Sequence, residues 1–319
     1  MIDLPRITRA IRPVFILAAA ALLNSCGPDA GEDRNTAEMD RPLVVVSIPP
    51  QKYFVTAVAG ELVEVKVLIP PGASPHSFEP TPSDMEAMER AELWLTVGVD
   101  FEDAWVPRFT GSSPELVVRS TIEGIERLPM DREYLHAGEG EEHGDNGDHD
   151  HGTGSPDPHV WLSPELVRSQ AVTTAEALRE CFPADSAVFA TGLASFQLEI
   201  DSLQGSISEL LEPVRGSRFI VFHPAWGYFA DEFGLMQVAV ESGGNDPSPG
   251  ELAELVDSAR SMGVTTVFVS PQFSASSASV LADEIGGTTA VLDPMSEDWR
   301  EGLLKAAALI SGENDSEVI

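Results

Sequence analysis

Short apolar runs alternate with helix-patterned stretches along most of this chain, and that alternation leaves few folds open. Leu43–Ile48 is a continuous apolar strand, and Val63, Val65, Val67 and Ile69 interleave with Glu64, Lys66 and Leu68 as a second. Leu93–Val97, Phe219–Phe222, Met236–Val240, Val264–Val269 and Thr289–Leu292 are further strands. Helices fall between them. Ser83 with Glu86 predicts a capping box opening a helix over Asp84–Ala91, and Ser248-Pro249-Gly250-Glu251 supplies an N-cap, a proline at N1 and a capping-box glutamate. Strands separated by helices imply parallel sheets covered on both faces. The expected class is therefore α/β, with two lobes, each a mostly parallel sheet flanked by helices.

A long helix joins the lobes. Pro164–Phe182 repeats apolar residues at Val167, Ala171, Ala175, Leu178 and Phe182, and Ala184–Leu211 continues through Phe189, Leu193, Phe196, Ile200, Leu203, Ile207 and Leu210. At about 1.5 Å per residue the second stretch is roughly 40 Å long, enough to run along two lobes. The N-terminal lobe is expected over 43–183, the connecting helix over 184–213 and the C-terminal lobe over 214–312. A chain of 319 residues suits two lobes, since one core rarely grows past about 250–300 residues. No internal repeat is visible.

Residues 1–25 are a targeting segment: Arg6, Arg9 and Arg12 precede an apolar run, Val14–Leu23, too short to span a membrane. Leu23-Asn24-Ser25-Cys26 resembles a bacterial lipobox, with Asn24 where a small or β-branched residue is usual. A diacylated Cys26 would hold the protein to a bacterial membrane by lipid alone, in the periplasm or an equivalent extracytoplasmic space. Ordinary cleavage nearby, giving a secreted protein, is the alternative. Residues 26–42 are polar and glycine-containing, a flexible tether. Cys181, at helical spacing with Leu178 and Phe182, is expected to be a small buried apolar residue.

Charge narrows the partners. With 52 Asp+Glu against 19 Lys+Arg, the net charge of −33 repels phosphate backbones and excludes nucleic acid. It suits a protein handling cations, although acidity alone is ordinarily a solubility feature.

Seven histidines divide into two kinds. His136, His143, His149 and His151 lie in HAGEGEEHGDNGDHDH, a glycine-rich acidic segment with nothing to pack (136–155 as a loop), where clustered imidazoles bind zinc or copper weakly. His76, His159 and His223 are single, each at a proline-flanked junction: Pro75-His76, Pro158-His159 and His223-Pro224. Asp293, before Pro294, has the same position after another strand. Ligands of α/β sheets collect beyond the C-terminal strand ends, so these four can converge. Three imidazoles and a carboxylate would fill a tetrahedral zinc shell.

The motifs PHSFEP, DPHVWLSP, FHPAWGYFADEFGL, DPSPGELAELV and VLDPMSEDW resemble the cluster A-I solute-binding proteins of zinc and manganese ABC importers, particularly the zinc-uptake receptors, over essentially the whole chain after the tether. The resemblance implies two α/β lobes on one rigid helix and a single metal held by His76, His159, His223 and Asp293. It also implies an auxiliary low-affinity metal loop at His136, His143, His149 and His151. Manganese and iron members place Glu where this chain has His223, and imidazole favours Zn²⁺ over the harder Mn²⁺. The cysteine pair of some zinc receptors is absent. The implied role is a monomeric receptor delivering Zn²⁺ to an ABC importer permease with its ATPase. A manganese or iron receptor, or a metal-binding lipoprotein adhesin, is the alternative within the fold.

A zinc hydrolase is the rival from another class, with His76, His159 and His223 as ligands and Glu79 as base. Asp293 closes the position that a catalytic water needs, and no His-Glu-x-x-His or Gly-x-Ser-x-Gly motif occurs, so no enzyme is expected. Glu79 could instead hold an imidazole N–H or cap a helix. Trp161, Trp226 and Tyr228 shield the site or belong to the core.

Overall fold

The computed structural model describes residues 41–130, 156–241, 245–274 and 276–312. Cys26, His136, His143, His149 and His151 lie outside these residues.

The first lobe runs β1 (Leu43–Val46), α1 (Pro49–Ala59), β2 (Glu64–Val67), α2 (Pro82–Arg90), β3 (Leu93–Thr96), α3 (Asp100–Ser112) and β4 (Val117–Ser120). Helices α4 (Pro164–Cys181) and α5 (Ser186–Leu211) follow. The second lobe runs β5 (Arg218–Val221), α6 (Gly227–Phe233), β6 (Met236–Ala239), α7 (Pro249–Met262), β7 (Thr266–Val269), α8 (Ser276–Ile285) and β8 (Thr288–Val291), and the chain then enters α9 (Trp299–Ser311). Each sheet is four-stranded and parallel, in the orders β2-β1-β3-β4 and β6-β5-β7-β8. These are the same winding used twice, a repeat of topology with no counterpart in the sequence. The central strands β1 and β3 are wholly buried, as their unbroken apolar runs require.

Several expected boundaries move. The cap of α2 is Thr81, not Ser83: its hydroxyl accepts from Asp84 N at 3.3 Å, and Asp84 Oδ2 accepts from Thr81 N at 2.9 Å. Pro82 takes the first helical position, so the helix begins two residues before Asp84. The box of α7 is the expected one, Ser248 with Glu251. The sequence pattern does not mark the strand β4, a half-buried edge strand, or the helix α3, which contains Pro107. Cys181 is half-buried at the last turn of α4, and burial raises its thiol pKa.

The 26 residues of α5 span about 39 Å, between short 3-10 turns at Pro183–Asp185 and Glu212–Val214. Its Phe196 meets Phe54 of α1 and Trp299 of α9 at ring separations of 5.8 and 6.0 Å, while Trp299 stands edge-on to Phe54 at 5.2 Å. Helix α9 thus leaves the second sheet and lies along the connecting helix, closing the apolar cluster that runs from β1 to Trp299. Gly192 lets α1 and α5 approach closely; a Cβ there would stand 2.1 Å from Val58 O.

Two tryptophans staple the junction. The Trp161 indole N–H donates to Pro294 O at 2.7 Å, and that of Trp299 donates to Trp161 O at 2.6 Å, all buried. Trp161 is therefore a structural tie between the segments that carry His159 and Asp293.

Candidate metal centre

The carboxyl ends of the strands supply the site. His223, Glu241 and Asp293 each fall two residues beyond a strand of the second sheet, after β5, β6 and β8. From the first lobe come His76, in the loop after β2, Asp100, which opens α3 after β3, and His159, just before a 3-10 turn over Val160–Leu162 leading into α4. In open α/β sheets ligands settle in this crevice outside the strand ends.

Three imidazoles meet there. The ring centres of His159 and His223 are 5.2 Å apart and those of His76 and His223 are 5.4 Å apart. Two imidazoles bound through Nε2 to one tetrahedral zinc, at about 2.0–2.1 Å each, would have ring centres about 5 Å apart. Each ring also gives its Nδ1 to a carboxylate: His76 to Asp100 at 2.6 Å, His159 to Asp157 at 2.7 Å and His223 to Glu241 at 2.5 Å. A carboxylate on Nδ1 fixes the tautomer with Nε2 unprotonated, makes that nitrogen more basic and aims it. The Nε2 of His223 is buried and has no hydrogen-bond partner, an orphan acceptor at the centre of the cluster.

The three rings differ in support. His223 is 3% exposed and Glu241 6%, while Phe273 stacks on the His223 ring at 4.3 Å. Burial lowers the pKa of His223 below the usual imidazole value, helped by His159 and His76 and opposed by Glu241, so the ring is neutral at pH 7. His159 and Asp157 are buried as well. His76 and Asp100 are the exposed pair, with side chains 34% and 64% accessible. The turn carrying Asp100 is secured by buried Glu102, which accepts from Val97 N at 2.9 Å and Gly98 N at 2.7 Å; burial raises its pKa to about 7 against the pull of those bonds.

Asp293 is oriented by donors from its own lobe: its Oδ1 accepts from Gln272 Nε2 at 2.8 Å and from Met295 N at 3.0 Å. Gln272 and Phe273, side by side after β7, thus hold Asp293 and His223 respectively. Among the described residues no three His, Cys, Asp or Glu side chains already form a closed ligand set. Glu79 is exposed, and the acceptor on His76 is Asp100 in its place. The three carboxylates escaped the sequence because 52 acidic residues offer no contrast. Glu241 alone had a signal, the two-residue offset past a strand that it shares with His223 and Asp293.

Two lobes on one long helix, with imidazoles from both meeting in one cleft, give the architecture of a two-lobed binding protein. The family model "Zinc-uptake complex component A periplasmic" matches residues 44–305, and the chain belongs to that family. It is 29% identical over 264 residues to the high-affinity zinc uptake system protein ZnuA of Yersinia pestis, covering 79% of this chain and 82% of that one. A structure described as "Crystal structure of ZnuA" superposes with a TM-score of 0.76 at 35% identity, covering 86% of this chain and all of that one. The laminin-binding protein Lmb of Streptococcus agalactiae, at 24% identity and a TM-score of 0.72 over 86% of this chain and 99% of that one, shares the fold.

Proposed function

We propose that this chain is an extracytoplasmic receptor that captures Zn²⁺ between its lobes and presents it to the permease of an ABC importer with its ATPase. The ligands in this reading are His76, His159, His223 and Asp293. One observation carries it: three imidazoles share a cleft, each with Nδ1 on a carboxylate, and the central one keeps a buried, unpartnered Nε2.

Zinc is the cargo, and the protein performs no bond chemistry on it. Neutral imidazoles replace water around the ion, and Asp100, Asp157 and Glu241 stabilise the positive charge that the rings then carry. Closure of the ligand set accompanies binding, with exposed His76 moving most. The tryptophan staple and α5 limit lobe opening, so loaded and empty forms differ by small shifts at the cleft, which a permease reads through differential affinity. A set with three imidazoles favours Zn²⁺ over Mn²⁺. With four protein ligands no position remains for a catalytic water, which supports binding over hydrolysis.

Cys26 carries a diacyl anchor in this reading, and residues 26–42 tether the lobes to the membrane. His136, His143, His149 and His151 form a peripheral, weaker metal-binding segment. The test of the receptor reading is metal analysis of protein purified without added metal, followed by competition among Zn²⁺, Mn²⁺ and Cd²⁺. One tight equivalent of zinc that Mn²⁺ fails to displace supports it; tight Mn²⁺ binding, or zinc-dependent hydrolysis, would overturn it.

A further inference from the structure

The hydroxyl of Tyr228 joins three segments that the sequence keeps far apart. It accepts from Leu128 N at 2.9 Å and donates to Asp157 O at 2.9 Å. Leu128 and Asp157 are themselves joined, Asp157 N donating to Leu128 O at 2.7 Å, and Pro129 and Pro156 form an antiparallel bridge beside them. Tyr228 belongs to α6 of the second lobe, five residues after His223, and its side chain is buried. The Asp157 carboxylate also lies against this helix, since a Cβ on Gly227 would stand 3.3 Å from Asp157 Oδ2.

Asp157 is the residue that orients His159. Its Oδ1 takes the His159 main-chain N–H at 2.9 Å and the ring Nδ1 at 2.7 Å. A residue that fixes the Asp157 backbone therefore fixes the direction of the His159 ring. We propose that Tyr228 is a positioning residue for His159, acting across the lobe junction through Asp157 and so coupling the ligand of one lobe to the helix that follows His223 in the other. This inference rests on His159 being a zinc ligand. It gives the Tyr228 hydroxyl a purpose that shielding by an aromatic ring does not need, because the ring of a phenylalanine would shield equally well.

The test is a double-mutant cycle on the full chain, with Zn²⁺ as the probe. Asp157→Asn should weaken zinc binding between about tenfold and a hundredfold, the usual effect of losing a ligand's carboxylate partner. Tyr228→Phe, one step further out, should weaken it by about tenfold. Because both act through the same ring, the double variant should lose much less than the product of the two. In metal-free Tyr228→Phe the imidazole nitrogen shifts of His159 should also show a growing share of the Nδ1-unprotonated tautomer. A Tyr228→Phe variant with lower thermal stability but unchanged zinc affinity and tautomer would make the hydroxyl merely structural and overturn the proposal, as would losses that multiply fully. His159→Ala separates the two readings. If it leaves tight binding intact, the assignment of the site is at fault; if it abolishes binding while Tyr228→Phe is silent, only the positioning role fails.

Discussion

Gly192 and Gly205 lie on the same helix and predict opposite signs for the same substitution. In a helix interior, Gly→Ala stabilises by about 0.5–1 kcal/mol, because alanine has less backbone freedom to lose on folding. Gly205 is exposed, with nothing within 4 Å of where a Cβ would stand, so Gly205→Ala should gain that full amount. At Gly192 the Cβ would stand 2.1 Å from Val58 O and 2.8 Å from Val58 C, both backbone atoms of α1. Neither can rotate away, so α1 must move by about an ångström or α5 must bend. Overpacking of this kind costs about 1–3 kcal/mol, which exceeds the helical gain. The net expectation for Gly192→Ala is a loss of up to about 2.5 kcal/mol. Thermal unfolding of the metal-free variants reads the difference at just under about 2 °C per kcal/mol, with Gly205→Ala above the parent and Gly192→Ala below it. Stabilisation of similar size at both positions would refute the close contact of α1 with α5 on which the rigidity of the connection depends.

Four further outcomes bear on the metal site. Glu241→Gln keeps a hydrogen-bonding group near His223 but removes the charge, and should weaken zinc binding between about tenfold and a hundredfold in calorimetric titration. Zinc affinity should fall as the solution is acidified, because protons compete with the metal for the imidazole nitrogens that would hold it. The burial-lowered pKa of His223 adds a matching trend in the metal-free protein: its stabilising contribution is complete above the unfolded-chain value of about 6.5 and is lost as pH falls through the lower folded-state value, which unfolding at stepped pH would follow. Deleting Glu139–Gly152 should leave one tight zinc equivalent and remove only weaker ones; loss of the tight equivalent would show that this segment, not the cleft, holds the metal.

The sequence exposes what depends on local pattern and hides what depends on context. Unbroken apolar runs such as Leu43–Val46 and the capping box at Ser248 are local, and both stand in the structure as expected. The three histidines stand out in the sequence because each lies at a proline-flanked junction, and the structure gathers their rings. Asp100, Asp157 and Glu241 were not, since their role exists only once an imidazole is opposite, and acidic residues are everywhere in this chain. The cap of α2 differs from the sequence expectation because Asp84, shorter than the usual glutamate, completes the box from Thr81. The shared strand order of the two sheets left no trace because topology is set by connection lengths and twist, which unrelated side chains satisfy equally well. Helix α9 follows the second sheet in sequence, yet Trp299 packs with Phe54 and Phe196 of earlier helices, a choice that no window around residue 299 contains.

The central claim is that one zinc ion joins ligands from both lobes, and the most direct measurement is the thermal stabilisation of the protein by zinc in the parent and in His159→Ala and His223→Ala. A ligand that binds only the folded chain stabilises it by about 4 kcal/mol at a thousandfold excess over its dissociation constant. The parent should show that gain, and each variant, lacking one ligand from one lobe, should lose most of it while its metal-free unfolding temperature stays close to the parent's. If zinc stabilised both variants as strongly as the parent, the cleft between the lobes would not be the metal site.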